Sequence, residues 1–280
     1  MIIRNLMVSM QKTFLVFAFS FLAITQALAA GGGPVPPKQN WSWTGFFGDF
    51  DKQSAQRGLQ VYKEVCAACH GLNLVKFRHL EGIGYDEGQI KTFAAEHEIL
   101  DGPNSDGEMF TRTAVPADAF PSPFVNEQAA RESNNGAYPV DLSLIVKSRN
   151  MGNHNVFENF FDAIAGRGTA SGADYLFSLL TGYGDASSDV TVGEGMYYNK
   201  WFNQQQIAMP APLSEGLVEY GDGTEATVEQ MARDVSTFLA WASEPEIEER
   251  RFLGLKVMLF LGLFIVLLII TKRKIWRDVK

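Results

Sequence analysis

Apolar residues are unevenly spread along this 280-residue chain. From Phe252 to Ile270 the sequence is apolar apart from Lys256, and Thr271-Lys272-Arg273-Lys274 follows. About twenty such residues make one membrane-crossing helix. Lys256 lies about one turn inside, where its long stem can carry the ammonium back to the interface. A shorter run, Thr13 to Ile24, follows Arg4 and Lys12 and leads into Ala27-Leu28-Ala29-Ala30. That order is a secretory signal peptide cut after Ala29 or Ala30, and the run is short for a retained anchor. Gly31-Gly32-Gly33-Pro34-Val35-Pro36-Pro37 then reads as a flexible linker.

Between these ends the pattern is helical in two places. Leu59, Val61, Tyr62 and Val65 recur at helix-compatible spacing, with Lys52 and Ser54 outside, which predicts a helix over 51–65. Thr227 and Gln230 form a capping-box pair ahead of Met231, Val235, Phe238 and Leu239, which predicts a second helix from 227. Glu244-Pro245 is placed to open the membrane helix, because proline suits a first helical turn. From Glu81 to Ser133 the chain is rich in Gly, Pro, Asp and Asn and reads as long loops. There is no internal repeat. The expected organisation is a signal peptide at 1–30, a linker at 31–40, one domain at 41–244, and an anchor with its tail at 245–280, the span covering about 252–271. The expected fold is mostly α with much irregular chain.

Charge orients this arrangement. Lys272, Arg273, Lys274, Arg277 and Lys280 belong in the cytoplasm by the positive-inside rule, so the domain between linker and helix is periplasmic. Of 24 basic and 32 acidic residues, 2 basic lie in 1–30 and 7 basic and 1 acidic in 251–280. Residues 31–250 therefore carry 15 basic and 31 acidic side chains, a net charge of about −16. Such a body is not a nucleic-acid binder. It is either a plain solvated acidic surface or a face that steers a basic redox partner.

The chemistry lies in Cys66-Ala67-Ala68-Cys69-His70. C-x-x-C-H is the attachment signature of a c-type haem: two thiols a helical turn apart add to the vinyl groups of one porphyrin, and the adjacent imidazole becomes the proximal iron ligand. A thioredoxin-like pair and half a zinc site use similar spacing. No βαβ pattern surrounds the motif, and with only two cysteines no second pair completes a common zinc site. Export agrees with haem attachment outside the cytoplasm. The motif should stand where the first helix ends, and in compact c-type cytochromes an N-terminal and a C-terminal helix cross near the haem. For the sixth ligand, Met109, Met151, Met196 and Met209 remain once signal, core and membrane methionines are set aside. Met209 is favoured, because Ile207-Ala208-Met209-Pro210-Ala211-Pro212 is held extended by two prolines. His79, His97 and His154 would give a bis-histidine haem, but each reads as an ordinary loop histidine.

Longer stretches resemble the cytochrome c1 family. They include Trp43-Thr44-Gly45-Phe46-Phe47-Gly48-Asp49-Phe50-Asp51, Arg57-Gly58-Leu59-Gln60-Val61-Tyr62, Asn134-Asn135-Gly136-Ala137 and Asp141-Leu142-Ser143. Asp174-Tyr175-Leu176-Phe177-Ser178-Leu179-Leu180-Thr181-Gly182-Tyr183, Tyr197-Tyr198-Asn199, Ile207-Ala208-Met209-Pro210 and Phe238-Leu239-Ala240-Trp241-Ala242-Ser243-Glu244-Pro245 continue it, so the likeness covers nearly all of 41–280.

The resemblance implies a cytochrome c-like haem domain, carrying one covalent haem c, within the cytochrome bc1 complex (ubiquinol:cytochrome c reductase). It implies a relay in which the Rieske iron–sulfur protein reduces the haem and a soluble or tethered cytochrome c oxidises it. Cytochrome b, membrane lipid and a dimeric complex are the further partners implied, in a bacterial inner membrane. Carried over, Cys66 and Cys69 are the thioether anchors, and His70 and Met209 the axial ligands. Arg149 stands near a propionate, Tyr175 stands beside the haem, and Asn134, Ala137 and Pro139 line the pocket. Val140 stands where the family usually has a second proline. Residues 150–172 resemble a bacterial insertion, and with only two cysteines the extra disulfide of some bacterial relatives is absent. Another membrane-anchored c-type cytochrome, or a haem enzyme or sensor with a labile sixth site, are the alternative classes. As a relay the chain would be a subunit of an enzyme and not a catalyst alone.

Overall fold

The computed structural model describes residues 34–45, 47–150, 171–186, 188 and 190–277. The signal peptide and most of the 150–172 segment lie outside these residues, as do Met151 and His154.

The first helix, α1 (Lys52–Glu64), starts where Asp51 accepts hydrogen bonds from the backbone N–H groups of Gln53 and Ser54. It buries Ser54, Ala55, Gly58, Leu59, Val61 and Tyr62 and ends at Val65. A single 3-10 turn, Cys66–Ala68, carries the attachment motif straight out of it. The helices α2 (Glu87–Ala95), α3 (Glu127–Ser133), α4 (Ile145–Ser148) and α5 (Ser171–Thr181) follow, then α6 (Val228–Ser243) and α7 (Ile247–Trp276). Two antiparallel ribbons interrupt them: β1 (Glu98–Asp101) with β2 (Phe110–Thr113), and β3 (Tyr197–Tyr198) with β4 (Gln206–Ile207).

The centre of the domain is α6, with α1, α4 and α5 packed around it. Met231, Val235, Phe238 and Trp241 of α6 meet Leu59 and Val61 of α1 in one core with Leu72, Val75, Phe77, Leu80 and Ile83. Gly58 permits the crossing. A Cβ there would collide with the Asp234 carbonyl and stand 2.7 Å from the Phe238 Cβ. Gly58→Ala is therefore expected to force α1 and α6 apart and to cost about 1–3 kcal/mol. Denaturant unfolding followed by far-UV circular dichroism checks this; an unchanged midpoint would mean the helices yield freely.

Three details depart from the sequence pattern. The Thr227 hydroxyl does accept from Gln230 N at 3.1 Å, but the reciprocal half of the capping box is missing, because Gln230 Nε2 donates to Asp234 Oδ2 at 3.0 Å instead. Pro245 does not open the membrane helix. It lies in the turn between α6 and α7, and α7 begins at Ile247. The stretch 81–133 is less irregular than its Gly and Pro content suggested. Asp86 and Gln89 form a full capping box for α2, whose Ile90 and Ala94 are buried, and Glu98–Thr113 folds into the β1–β2 hairpin.

The last helix, α7, runs unbroken for 30 residues and contains an 18-residue apolar window of mean hydropathy 2.8, none of it buried. An apolar stretch of that length with no protein around it is able to span a membrane. Ahead of α1 in the chain, Trp41 stacks on Trp43 and Trp43 on Phe50 at 4.8 and 5.0 Å, and Trp41 Nε1 and Gln39 N donate to Asp174 on α5 at 2.8 and 2.9 Å. The end of the linker is thus fastened to the domain.

Candidate haem-attachment site

Helix α1 delivers the motif in a fixed conformation. Cys69 N and His70 N both donate to the Cys66 carbonyl, at 3.1 and 2.8 Å, which winds the two thiols and the imidazole onto one turn. The cysteines are not joined in a disulfide, and both are half-buried. Burial, with the neighbouring Cys69 sulfur as a second cause, pushes the Cys66 thiol up to about 12. A redox-active pair has the opposite shift.

The His70 ring is oriented from behind. Its Nδ1 stands 2.7 Å from the Val140 carbonyl. A carbonyl only accepts, so Nδ1 carries the proton and Nε2 is left with a free lone pair. Burial holds the imidazole below its ordinary range, opposed by the Val140 bond and the charge of Asp141. Neutral imidazole is the form that binds iron. The Tyr62 hydroxyl donates to the His70 carbonyl at 3.1 Å, and Leu142 N donates to the Gly71 carbonyl at 2.9 Å. Asp141 clamps the same loop by accepting from Asn73 N and Ser143 N.

Met209 belongs to a second group. Tyr197 pairs with Ile207 in the β3–β4 ribbon, and Ala208 and Met209 follow in a bend, not in an extended strand as the flanking prolines suggested. The Tyr183 hydroxyl donates to the Met209 carbonyl at 3.1 Å, and the Met209 side chain packs, partly buried, on the core. Tyr183 neighbours Tyr175 on α5, and Tyr175 feels the charge of Arg149 at the end of α4. Burial raises the Tyr175 phenol, and Arg149 opposes that rise. The structure therefore gathers Cys66, Cys69, His70 and Val140 in one place and joins Met209 to Tyr183 in another, with Tyr175 and Arg149 linked to that second group only through their electrostatic influence.

The remaining candidates form the segment that leads to Val140. Asn134 caps α3, its Nδ2 donating to the Ala130 carbonyl at 2.7 Å, and Ala137 N donates to the Asn134 carbonyl at 2.9 Å. Pro139 is half-buried, immediately ahead of Val140. Met109 is exposed near the hairpin tip, and Met196 is half-buried. His79 Nδ1 accepts from Lys76 N, and His97 sits in an aromatic cluster with Phe77, Phe93 and Phe120.

Sequence reasoning missed two contributors. Val140 drew notice only for its side chain, whereas its backbone carbonyl holds His70. Tyr183 was a motif residue without a role. Asp141-Leu142-Ser143 could have been read as a loop clamp, since Asp two residues before an N–H is an Asx-turn signal. Among the described residues no three His, Cys, Asp or Glu side chains gather to hold a bare metal ion. Two unpaired thiols and a neutral, pre-oriented imidazole on one turn fit a covalently held haem.

Residues 41–279 match the Cytochrome C1 family. The chain is 47% identical over 260 residues to cytochrome b/c1 of Bradyrhizobium diazoefficiens, covering 91% of this chain but only 38% of that longer protein. It is 43% identical to cytochrome c1 of Rhodospirillum rubrum, covering 98% of this chain and all of the relative. The cytochrome b-c1 complex catalytic subunit of Candida albicans mitochondria is 46% identical, over 90% of this chain and 81% of its own length.

Proposed function

The chain belongs to the cytochrome c1 family, and from that premise we propose that it is the haem c electron-transfer subunit of a bacterial ubiquinol:cytochrome c reductase. In this reading it accepts electrons from the Rieske iron–sulfur protein and passes them to a cytochrome c. Cytochrome b and a second copy of the complex are its other neighbours. The domain faces the periplasm, held by α7 in the inner membrane with the basic tail in the cytoplasm.

The observation that carries this reading is the His70 ring, with Nδ1 engaged by Val140 and Nε2 free, on the same turn as two unpaired thiols. Cys66 and Cys69 would hold one haem c through thioethers, and His70 and Met209 would be the residues that bind its iron. When bound, haem c supplies a one-electron Fe(III)/Fe(II) couple. The chain does the rest. Val140 fixes the imidazole tautomer and makes the ring a stronger donor. Tyr183 holds the Met209 backbone, so that a soft thioether, which favours the reduced metal, is presented without slack. Arg149, whose charge acts on Tyr175, and Tyr175 itself would serve a propionate, and Asn134, Ala137 and Pro139 would shape the wall ending at Val140. The acidic body speeds encounter with a basic acceptor at a rate that falls with salt. Proton chemistry of quinol oxidation belongs to other subunits.

Affinity purification from the native membrane tests the assignment. A di-haem cytochrome b and a Rieske protein are expected to co-purify with the chain, and quinol is expected to reduce its haem. Purification of the chain alone, or with a different oxidase or dehydrogenase, would overturn it.

A further inference from the structure

The segment that leads into α1 is fastened to the start of the membrane helix. Arg251 Nη1 donates to the carbonyls of Trp43 and Gly48, at 3.0 and 2.9 Å, and Phe50 N donates to Glu248 Oε1 at 2.9 Å. Arg251 immediately precedes Phe252, where the apolar stretch begins. One residue rises only about 1.5 Å along a helix, so the carbonyls that grip Arg251 lie level with the edge of the hydrocarbon.

Phe47 stands in this loop. It is 77% exposed, and it lines one small recess with Gly48, Asp49, Glu248, Arg251 and Phe252. The turn that presents it is closed tightly, because a Cβ on Gly48 would collide with the Thr44 carbonyl. The exposed ring lines that recess beside Phe252, the first residue of the apolar stretch. Level with Phe252 it has an apolar medium beside it, and aromatic rings concentrate at that boundary.

We propose that Phe47, on the turn closed at Gly48, is a second membrane contact, with its ring entering the bilayer between headgroups and acyl chains beside Phe252. The domain then meets the membrane at two points. Because the loop is bonded to Arg251 and Glu248, the second point fixes the tilt of the domain over its anchor. This rests on reading α7 as the membrane span.

The test uses Phe47→Cys in the full, haem-loaded chain in vesicles of phosphatidylcholine and phosphatidylglycerol. With Cys66 and Cys69 consumed by the haem, the new thiol is the only one to take a nitroxide label. Val125→Cys, on a residue 93% exposed, is the aqueous reference, and Leu261→Cys within α7 the lipid reference. The expected ratio of oxygen to chelated-nickel accessibility at position 47 lies between those references and well above the aqueous one. A ratio equal to that at position 125 overturns the proposal, and so does a label reached by neither probe, which would be covered by protein. If Leu261→Cys is itself water-accessible, the anchor reading fails, and its failure is seen separately. Should Phe47→Cys not take up haem, Phe47→Trp keeps an aromatic ring. Extra fluorescence quenching by brominated lipid, relative to wild type, then answers the same question.

Discussion

On the proposed ligation by Met209, the weak near-infrared charge-transfer band from methionine sulfur to ferric iron is expected to disappear in Met209→Leu, and the oxidised spectrum to turn high-spin. Leucine conserves volume and apolarity, so the substitution is expected to cost less than about 1.5 kcal/mol in packing. Met209 is only partly buried and its backbone is held through its carbonyl by Tyr183, a bond that the substitution leaves in place. The change is therefore one of ligation. Loss of the thioether removes the ligand that favours Fe(II), and the midpoint potential is expected to fall by a few tenths of a volt, within the range that axial ligands span. A fall of that size stalls reduction by any high-potential donor. Potentiometric titration of the two proteins measures it. If the band survives in Met209→Leu, the ligand lies elsewhere, and Met196, half-buried ahead of β3, is next in line.

The parts of this site that were legible in the sequence are those whose chemistry is local. Cys66, Cys69 and His70 are within one turn, so spacing alone declared them. The helices α1 and α6 were legible because Asp51 and Thr227 cap them and apolar residues recur along one face. What escaped the sequence is contact across distance. Val140 holds His70 from 70 residues away through a backbone carbonyl, a group every residue owns, so no side-chain pattern could reveal it. Tyr183 reaches Met209 over 26 residues in the same way. The bend at Met209 was misread because prolines restrict φ without setting where a ribbon ends, and the pairing of Tyr197 with Ile207 decides that. The hairpin at 98–113 was hidden by its turn-rich composition, although Asp86 and Gln89 announced the helix before it.

Asp234→Asn is expected to be the most destabilising single-atom change in the domain. Asp234 is fully buried on α6, and its two oxygens accept from Arg57 Nε and Nη2 at 2.9 and 3.1 Å, Ser54 Oγ at 2.7 Å and Gln230 Nε2 at 3.0 Å. All these donors converge on a group that, as carboxylate, only accepts. An asparagine keeps the shape but turns one acceptor into a donor facing other donors, and it strips the charge that faces Arg57. The remaining carboxylate on Arg57, Asp222, is much more exposed and cannot substitute. Breaking one half of a buried pair leaves an uncompensated charge and costs about 3–5 kcal/mol. Guanidinium unfolding followed by far-UV circular dichroism measures the loss; a cost under about 1 kcal/mol would mean that water reaches Arg57 and replaces the carboxylate. Replacing both members, as Arg57→Met with Asp234→Leu, is expected to recover much of the loss, because no charge is then left unpaired. The consequence reaches the haem site through α1. Ser54 and Arg57 lie on the helix whose last turn runs directly into Cys66, so a clamp that holds α1 on α6 also holds the attachment turn in place.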